Sequence, residues 1–259
     1  MSVPSEIAQI IATSGNSFHA RVARWLADNG WTIRVSPYFM DQSQNKAREI
    51  DLVAERFLEI RDAFGGWSGD VVIRLFVECK FVPGHSVFWF TDKDMDAAMR
   101  LVVKQGGGFR QDNSYTKNHH YLSKSPKVAK VFASSKSQEQ DPFYKALNQV
   151  LNAQVSLRKQ AVFVLPESRP RKQVAILNCP VIVCSSFANM FATDFLVDSP
   201  PTVMGENFQL EVQYAYTEAD GTSRNEHFLI DVVEFDQLPS LSDLMTADAE
   251  LACFMLQRN

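Results

Sequence analysis

The sequence predicts an α/β protein with a mixed central sheet flanked by helices. Three observations carry that expectation. Residues 17–29 place Phe18, Val22, Trp25 and Leu26 on one helical face, and Trp31, Ile33 and Val35 then alternate with polar residues in strand fashion. Val71 to Val77 is almost continuously apolar and β-branched, the pattern of a strand covered on both faces. A second amphipathic helix opens at Pro142, with Phe143, Leu147, Val150 and Leu151 on its apolar face.

In order along the chain, Asn16 or Ser17 is suited to cap the first helix and Gly30 to stop it. The strand from Trp31 ends at Pro37. A polar loop, Asp41 to Arg48, leads to a short strand, Glu49 to Ala54. Gly65, Gly66 and Gly69 mark a turn before the buried strand, in which Arg74 is a charged interruption with no reason visible in the sequence. Asp92 to Lys104 has helical character, and Gly106 to Gly108 breaks it. Residues 109–140 are polar and basic, the composition of a long loop or insertion. Asp141 is placed to cap the helix that runs to about Lys159. Ala161–Leu165 and Val174–Cys184 read as strands. Phe208–Tyr216 and Phe228–Phe235 read as a hairpin turning at Asp220-Gly221. Leu241–Leu256 reads as a terminal helix. This divides the chain into a core, 1–190, with a basic insertion at about 92–140, and an acidic C-terminal part, 191–259, a hairpin plus helix packed on the core.

Composition narrows the class. With 46% hydrophobic and 22% charged residues, 259 residues can bury a sizeable core, which argues against wholesale disorder. No apolar run reaches the roughly 18 to 20 residues needed to cross a bilayer. Residues 1–15 hold no Lys or Arg and include Glu6, unlike a secretory leader. Cys79, Cys179, Cys184 and Cys253 lack zinc-type spacing and read as free thiols of a reducing cytoplasm. The net charge of −4 hides an asymmetry. Arg100 to Lys136 holds eight basic residues and one acid, whereas Asp194 to Asn259 holds thirteen acids and two bases.

The chemistry concentrates at Asp51, Glu78 and Lys80. Glu78 and Lys80 are two apart at a strand end and therefore share a face. Two carboxylates converging at neighbouring strand ends make a hard-oxygen site suited to Mg²⁺, to which the Cys79 carbonyl can add a ligand. Such an ion lowers the pKa of a bound water and offsets charge on a phosphodiester. An adjacent lysine positions or deprotonates that water, or stabilises developing charge.

Arg48-Glu49-Ile50-Asp51-Leu52-Val53-Ala54 followed by Phe76-Val77-Glu78-Cys79-Lys80 resembles the PD-(D/E)XK, or restriction-endonuclease-like, superfamily. The resemblance covers roughly residues 15–90 and 142–185. It implies a restriction-endonuclease-like core, Asp51 and Glu78 as metal ligands, Lys80 as the catalytic lysine, and Mg²⁺ that Mn²⁺ can replace. Three departures stand out. His19 occupies the helix position where many relatives carry Glu. No proline precedes the Asp. Relatives often place a Gln on the helix after the E-x-K strand, and here Gln149 matches the pattern while Gln154 falls on the apolar face.

The implied function is a cytoplasmic metal-dependent endonuclease, with DNA favoured over RNA, a restriction or defence role, and a homodimer as one way to cut both strands. The alternatives are a non-cleaving nucleic-acid-binding or scaffold protein on the same fold, and an RNA-processing nuclease. Lys117, Lys124, Lys127 and Lys130 are the expected phosphate contacts, with Phe109, Tyr115, Tyr121 and Phe132 interleaved for stacking on bases. His119-His120 reads as a loop-surface pair. Gly106 to Gly108 lacks the flanks of a phosphate-binding loop.

Overall fold

The computed structural model describes residues 6, 7, 9, 11, 15–41, 44–82, 84–134, 141–165, 173–218 and 220–258. Helix α1 (Gly15–Asp28) buries Phe18, Val22, Ala23 and Leu26, and Gly30, at φ 81°, ends it in a left-handed turn. The helix starts earlier than its polar residues suggest, so Asn16 and Ser17 lie inside it and do not cap it. Strand β1 (Thr32–Val35) follows as expected. The stretch expected to be a loop is instead a small hairpin, β2 (Tyr38–Asp41) with β3 (Lys46–Glu49). Its buried positions include the polar Asp41 and its exposed ones Tyr38 and Met40, so the usual alternation is inverted and hid its strand character.

Strand β4 (Leu52–Arg61) is ten residues long, and Asp51 sits just before it. Asp51 therefore stands at the mouth of the strand, and not within a short strand as the sequence suggested. Strand β5 (Trp67–Lys80) runs antiparallel to β4 and is buried from Gly69 to Glu78. Arg74 acquires its reason here. Its Nε donates to Glu55 Oε1 at 2.5 Å, and its Nη1 donates to the carbonyls of Leu157, Arg158 and Gln160 at 3.1–3.4 Å. One buried guanidinium thus pairs a carboxylate and satisfies the carbonyl end of a helix.

That helix is α4 (Pro142–Leu157), preceded by α2 (Met95–Gln105) and the short α3 (His120–Ser123). Asp141 caps α4 as expected, accepting from Phe143 N at 2.7 Å. Ala161–Leu165 is not a strand. The N–H groups of Phe163 and Val164 turn onto Glu55 Oε2 at 2.7 and 2.9 Å. β8 (Gln173–Cys184) then lies parallel to β5, so β5, α4 and β8 form a crossover unit.

The basic stretch departs from expectation as well. It contains a 3₁₀ turn (Ser114–Asn118), α3 and strand β7 (Lys127–Ser134), which pairs with β6 (Ser86–Asp92). Only Val128 and Ala129 of β7 are fully buried, while Lys127 and Lys130 face outward, so the strand reads as polar loop. Residues 135–140 of the expected insertion lie outside the described residues. β9 (Met190–Asp194) and β10 (Thr202–Val203) extend the sheet beyond β6.

The C-terminal hairpin, β11 (Phe208–Thr217) and β12 (Ser223–Glu234), turns at Gly221 (φ 82°) and sits inside the sheet. The order is β1-β4-β5-β8-β12-β11-β7-β6-β9-β10. The result is an α/β fold with a large mixed sheet flanked by helices. On one face α1, α2 and α5 (Leu238–Gln257) pack on Leu52, Val71, Ile73 and Val77. On the other, α4 packs on Val53, Phe76 and Ile182. Alternation along β5 places Glu78 and Lys80 on the α4 side, with Phe76.

Candidate active site

Antiparallel register builds the site. Leu52 pairs with Val77, so the next residues outward, Asp51 and Glu78, meet where the β4–β5 ladder ends. Two hydrogen bonds replace the ladder there. Asp51 Oδ2 accepts from Cys79 N at 2.7 Å, and Asp51 N donates to Glu78 Oε1 at 3.3 Å. Each acid is thus fixed by the other's strand. Lys80 Nζ lies 2.9 Å from Glu78 Oε2. The three residues expected to act together are together.

Their electrostatics are unequal. Glu78 is 0% exposed. Burial pushes its carboxyl up to about 7; the Lys80 ammonium opposes this and the Asp51 carboxylate adds to it. Burial works to lower the Lys80 pKa, but the Glu78 and Asp51 carboxylates outweigh it and hold Lys80 above its ordinary value. The Lys80 ammonium is the partner of Glu78 Oε2, and it faces the Asp51 carboxylate as well. Two buried or half-buried acids sharing one ammonium leave room for further positive charge, which is what a divalent cation supplies. The donor set therefore fits Mg²⁺ or Mn²⁺. Burial raises the Cys79 thiol well above its usual range, so the sulfur stays protonated. The Cys79 amide points toward Asp51, and in a strand the carbonyl of the same residue faces the same edge. The carbonyl is the group that Cys79 can offer.

Between the two glutamines, Gln149 is the one beside this centre. Its Nε2 donates to the Glu49 carbonyl at 3.3 Å, two residues before Asp51. Gln154 lies farther along α4 and donates to the Asn178 carbonyl at 3.4 Å, at the level of Arg74. The sequence reasoning missed Glu49. Its carboxylate accepts from the Ser36 and Tyr38 hydroxyls, which lower its pKa, and His19 adds to that lowering. His19 thus stands within electrostatic reach of the residue that leads into Asp51, and its Nε2 is buried without a hydrogen-bond partner among the described residues.

The expected phosphate contacts are arranged differently. Lys117 and Lys124 are exposed. Lys127 pairs with Asp194 at 2.6 Å and Lys130 with Glu211 at 3.3 Å. β7 lies four strand intervals from β5, or roughly 19 Å. Phe109 and Tyr121, expected to stack on bases, are core residues, 4% and 0% exposed.

His119 and His120 are likewise buried, against the expectation of a loop surface. With Asp248 they bring candidate metal-ligand atoms within 4.8 Å of one another. Protons already complete that group. His120 Nδ1 contacts Asp248 Oδ2 and its Nε2 lies 3.3 Å from Asp231 Oδ2, so both ring nitrogens donate. His119 Nδ1 accepts from Tyr121 N at 3.2 Å, which puts the ring proton on Nε2, 3.3 Å from Asp248. Neither histidine keeps a lone pair for a metal in this arrangement.

Comparison of the chain with family models, curated proteins and solved structures returned no match.

Proposed function

We propose that the protein is a metal-dependent endonuclease that hydrolyses phosphodiester bonds, with Mg²⁺ as its ion and Mn²⁺ as a substitute. The observation that carries this reading is the meeting of Asp51 and Glu78 at the broken end of the β4–β5 ladder, with Lys80 on Glu78. Further support comes from the order α1, β1, β4, β5, α4, since helix, strand, Asp strand, E-x-K strand, helix is the order similar to the PD-(D/E)XK core.

Asp51, Glu78 and the Cys79 carbonyl would hold the ion. When bound, it would supply an acidified water and a counter-charge for the phosphate. Cys79 N–H holds one Asp51 oxygen and so orients the other. Glu78, whose carboxyl burial pushes up to about 7, would have to lose its proton to serve as a ligand. Lys80, protonated beside Glu78, stabilises charge gathering on the phosphate oxygens or hands a proton to the leaving oxygen. Gln149 is a positioning residue that steadies the segment entering Asp51. Duplex DNA is the favoured substrate over RNA. A cytoplasmic restriction or defence role and action as a homodimer belong to the same reading and rest on the resemblance.

The test is incubation of plasmid DNA and of structured RNA with purified protein in Mg²⁺, Mn²⁺ or EDTA. Cleavage of DNA with either ion, abolished by EDTA and by Asp51→Asn, is the expected result. No cleavage of either polymer with either ion would remove the nuclease reading and leave a binding role.

A further inference from the structure

The sheet divides at its other end. β8 and β12 pair only through 181–184 and 231–234. β8 nevertheless stays paired with β5 down to Gln173, and β12 with β11 down to Ser223. Below Val181 the β11–β12 hairpin therefore leaves β8. The opening is a cleft of about 360 Å³ between the last turns of α2 and α4. That volume falls in the range of small-molecule sites, roughly 300 to 1,000 Å³.

Where β12 has gone, β8 is left with backbone groups that no strand among the described residues matches. Gln105 from α2 and Gln154 from α4 reach in from opposite faces and both donate to the Asn178 carbonyl, at 3.3 and 3.4 Å. Those bonds fix the amide orientations, because a flipped amide would set oxygen against oxygen. The remaining oxygens, Gln105 Oε1, Gln154 Oε1 and Asn178 Oδ1, belong to residues that line the cleft, are buried, and have no hydrogen-bond donor among the described residues. Gln154 itself is 4% exposed. An unmatched buried acceptor costs free energy, and three in one wall call for a ligand rich in N–H groups.

The charges define the rest of that ligand. Arg158 meets Glu226 through two bonds of 3.0 Å, and Lys104 joins the same carboxylate. Lys159 and Arg224 share Glu218 at 3.1 and 3.6 Å, and both are largely exposed. The cleft thus holds two more cations than carboxylates, with the looser pair at its rim. Leu101 and Phe228 add apolar surface. A flat ring bearing an amine, joined to an anion, matches all three features.

We propose that this cleft binds a nucleotide whose base carries an exocyclic amine. The amine donates to the oxygens of Gln154 and Gln105, and the phosphate lies against Lys159 and Arg224. Asn178 pairs with Arg74, four residues along β5 from Glu78, or roughly 13 Å from the Asp51–Glu78 centre. The proposal does not rest on the nuclease reading.

CMP and UMP test it, since at C4 CMP carries a two-proton donor amine and UMP an acceptor carbonyl, while the single N3–H of UMP is an acceptor nitrogen in CMP. Titration calorimetry in EDTA keeps any metal centre silent. CMP should bind about tenfold or more tighter than UMP, and cytidine without phosphate should bind weaker than CMP. Gln154→Met should bring CMP down to UMP, with Gln105→Met as the less buried companion if Gln154→Met does not fold. Arg224→Gln should weaken both nucleotides and leave their ratio unchanged. Equal binding of CMP and UMP, no binding of CMP at millimolar concentration, or a ratio untouched by both glutamine variants would each overturn the proposal.

Discussion

Two buried charge clusters face opposite sides of one sheet and differ in how completely their polar groups are matched. Around His120, each ring nitrogen meets a carboxylate. Gln209 takes the other Asp231 oxygen at 3.0 Å, and Lys93 donates to the carbonyls of Tyr121 and Lys124 at 2.8 and 2.7 Å. Around Glu78, a wholly buried carboxylate has one weak bond from Asp51 N and a neighbouring ammonium. The first cluster is closed in its charges, although Gln209 Oε1 and the Tyr121 hydroxyl make no hydrogen bond among the described residues, and it ties α3 and α5 to β12. The second keeps capacity for a further cation at the sheet's rim. Matched burial signals architecture, and unmatched burial beside solvent signals chemistry.

The largest effect should come from the open cluster. Lys80→Ala should lower the cleavage rate by about 10² to 10⁴-fold, the worth of a positioned acid–base or electrostatic group. Lys80 ends its strand and is 17% exposed, so the fold should survive, as circular dichroism would show. A purified variant cutting at the parent's rate would remove Lys80 from the chemistry.

The closed cluster should behave the other way. His120→Phe strands two buried carboxylates and should cost about 3 to 5 kcal/mol in urea unfolding, with cleavage by the folded fraction unchanged. The two histidines also bracket stability in pH. Burial works to lower the His120 pKa, but Asp248 and Asp231 outweigh it and raise it to about 10. Its contribution is complete below its unfolded value near 6.5 and is lost as pH rises through 10. Burial, helped by the His120 and Lys93 charges and opposed by Asp248, lowers His119 to about 3. Its contribution is complete above 6.5 and is lost as pH falls toward 3. Stability should thus fall on both sides of neutrality, and His120→Phe should flatten the alkaline limb. An alkaline limb identical to the parent's would assign that loss to other groups.

Glu78 supplies a smaller, sharper contrast. Its pKa is raised from 4.5 to about 7, so its contribution to stability is complete below 4.5 and is lost as pH rises through 7. Mg²⁺ should restore that loss. Because the ion must displace a proton below pH 7, its affinity should rise about tenfold per pH unit there and level off above. Calorimetry between pH 5.5 and 8.5 reads this directly, and a flat profile would mean that Glu78 is not the ligand that titrates.

The open cluster was legible in the sequence and the closed one was not. Asp51, Glu78 and Lys80 lie near the ends of long strands, where spacing reports which face a side chain takes. His120, Asp231 and Asp248 come from three distant elements, and nothing local records that they meet. Val71–Val77 announced β5 because both its faces are covered. β7 concealed itself because Lys127 and Lys130 point outward. Arg74 read as a misfit, and His120 as loop surface, for one reason: the partners come from elsewhere in the chain, for Arg74 Glu55 and the end of α4.

The smallest effect concerns the lysines, and it divides them by the same rule of matched and unmatched charge. Lys127 and Lys130 already hold Asp194 and Glu211, so a phosphate arriving there must displace a carboxylate or bind against it. Lys117 and Lys124 are exposed, and neither forms an ion pair among the described residues. Removing one lysine that neutralises a phosphate should flatten the plot of log affinity against log salt by about 0.7 to 0.9. Neutralising Lys117 and Lys124 together should therefore flatten it by about 1.4 to 1.8. Adding Lys127→Gln and Lys130→Gln should change it little more, because those charges release few counter-ions. Asp51→Asn should retain binding, since it removes a negative charge near the phosphate. The measurement is a salt series on labelled duplex in Ca²⁺, an ion expected to occupy the centre with little turnover. If the Lys117/Lys124 variant keeps the parent's slope, the nucleic-acid surface lies on another part of the molecule. If the slope falls only when Lys127 and Lys130 are changed, phosphate outcompetes their carboxylates and the rule fails at this surface.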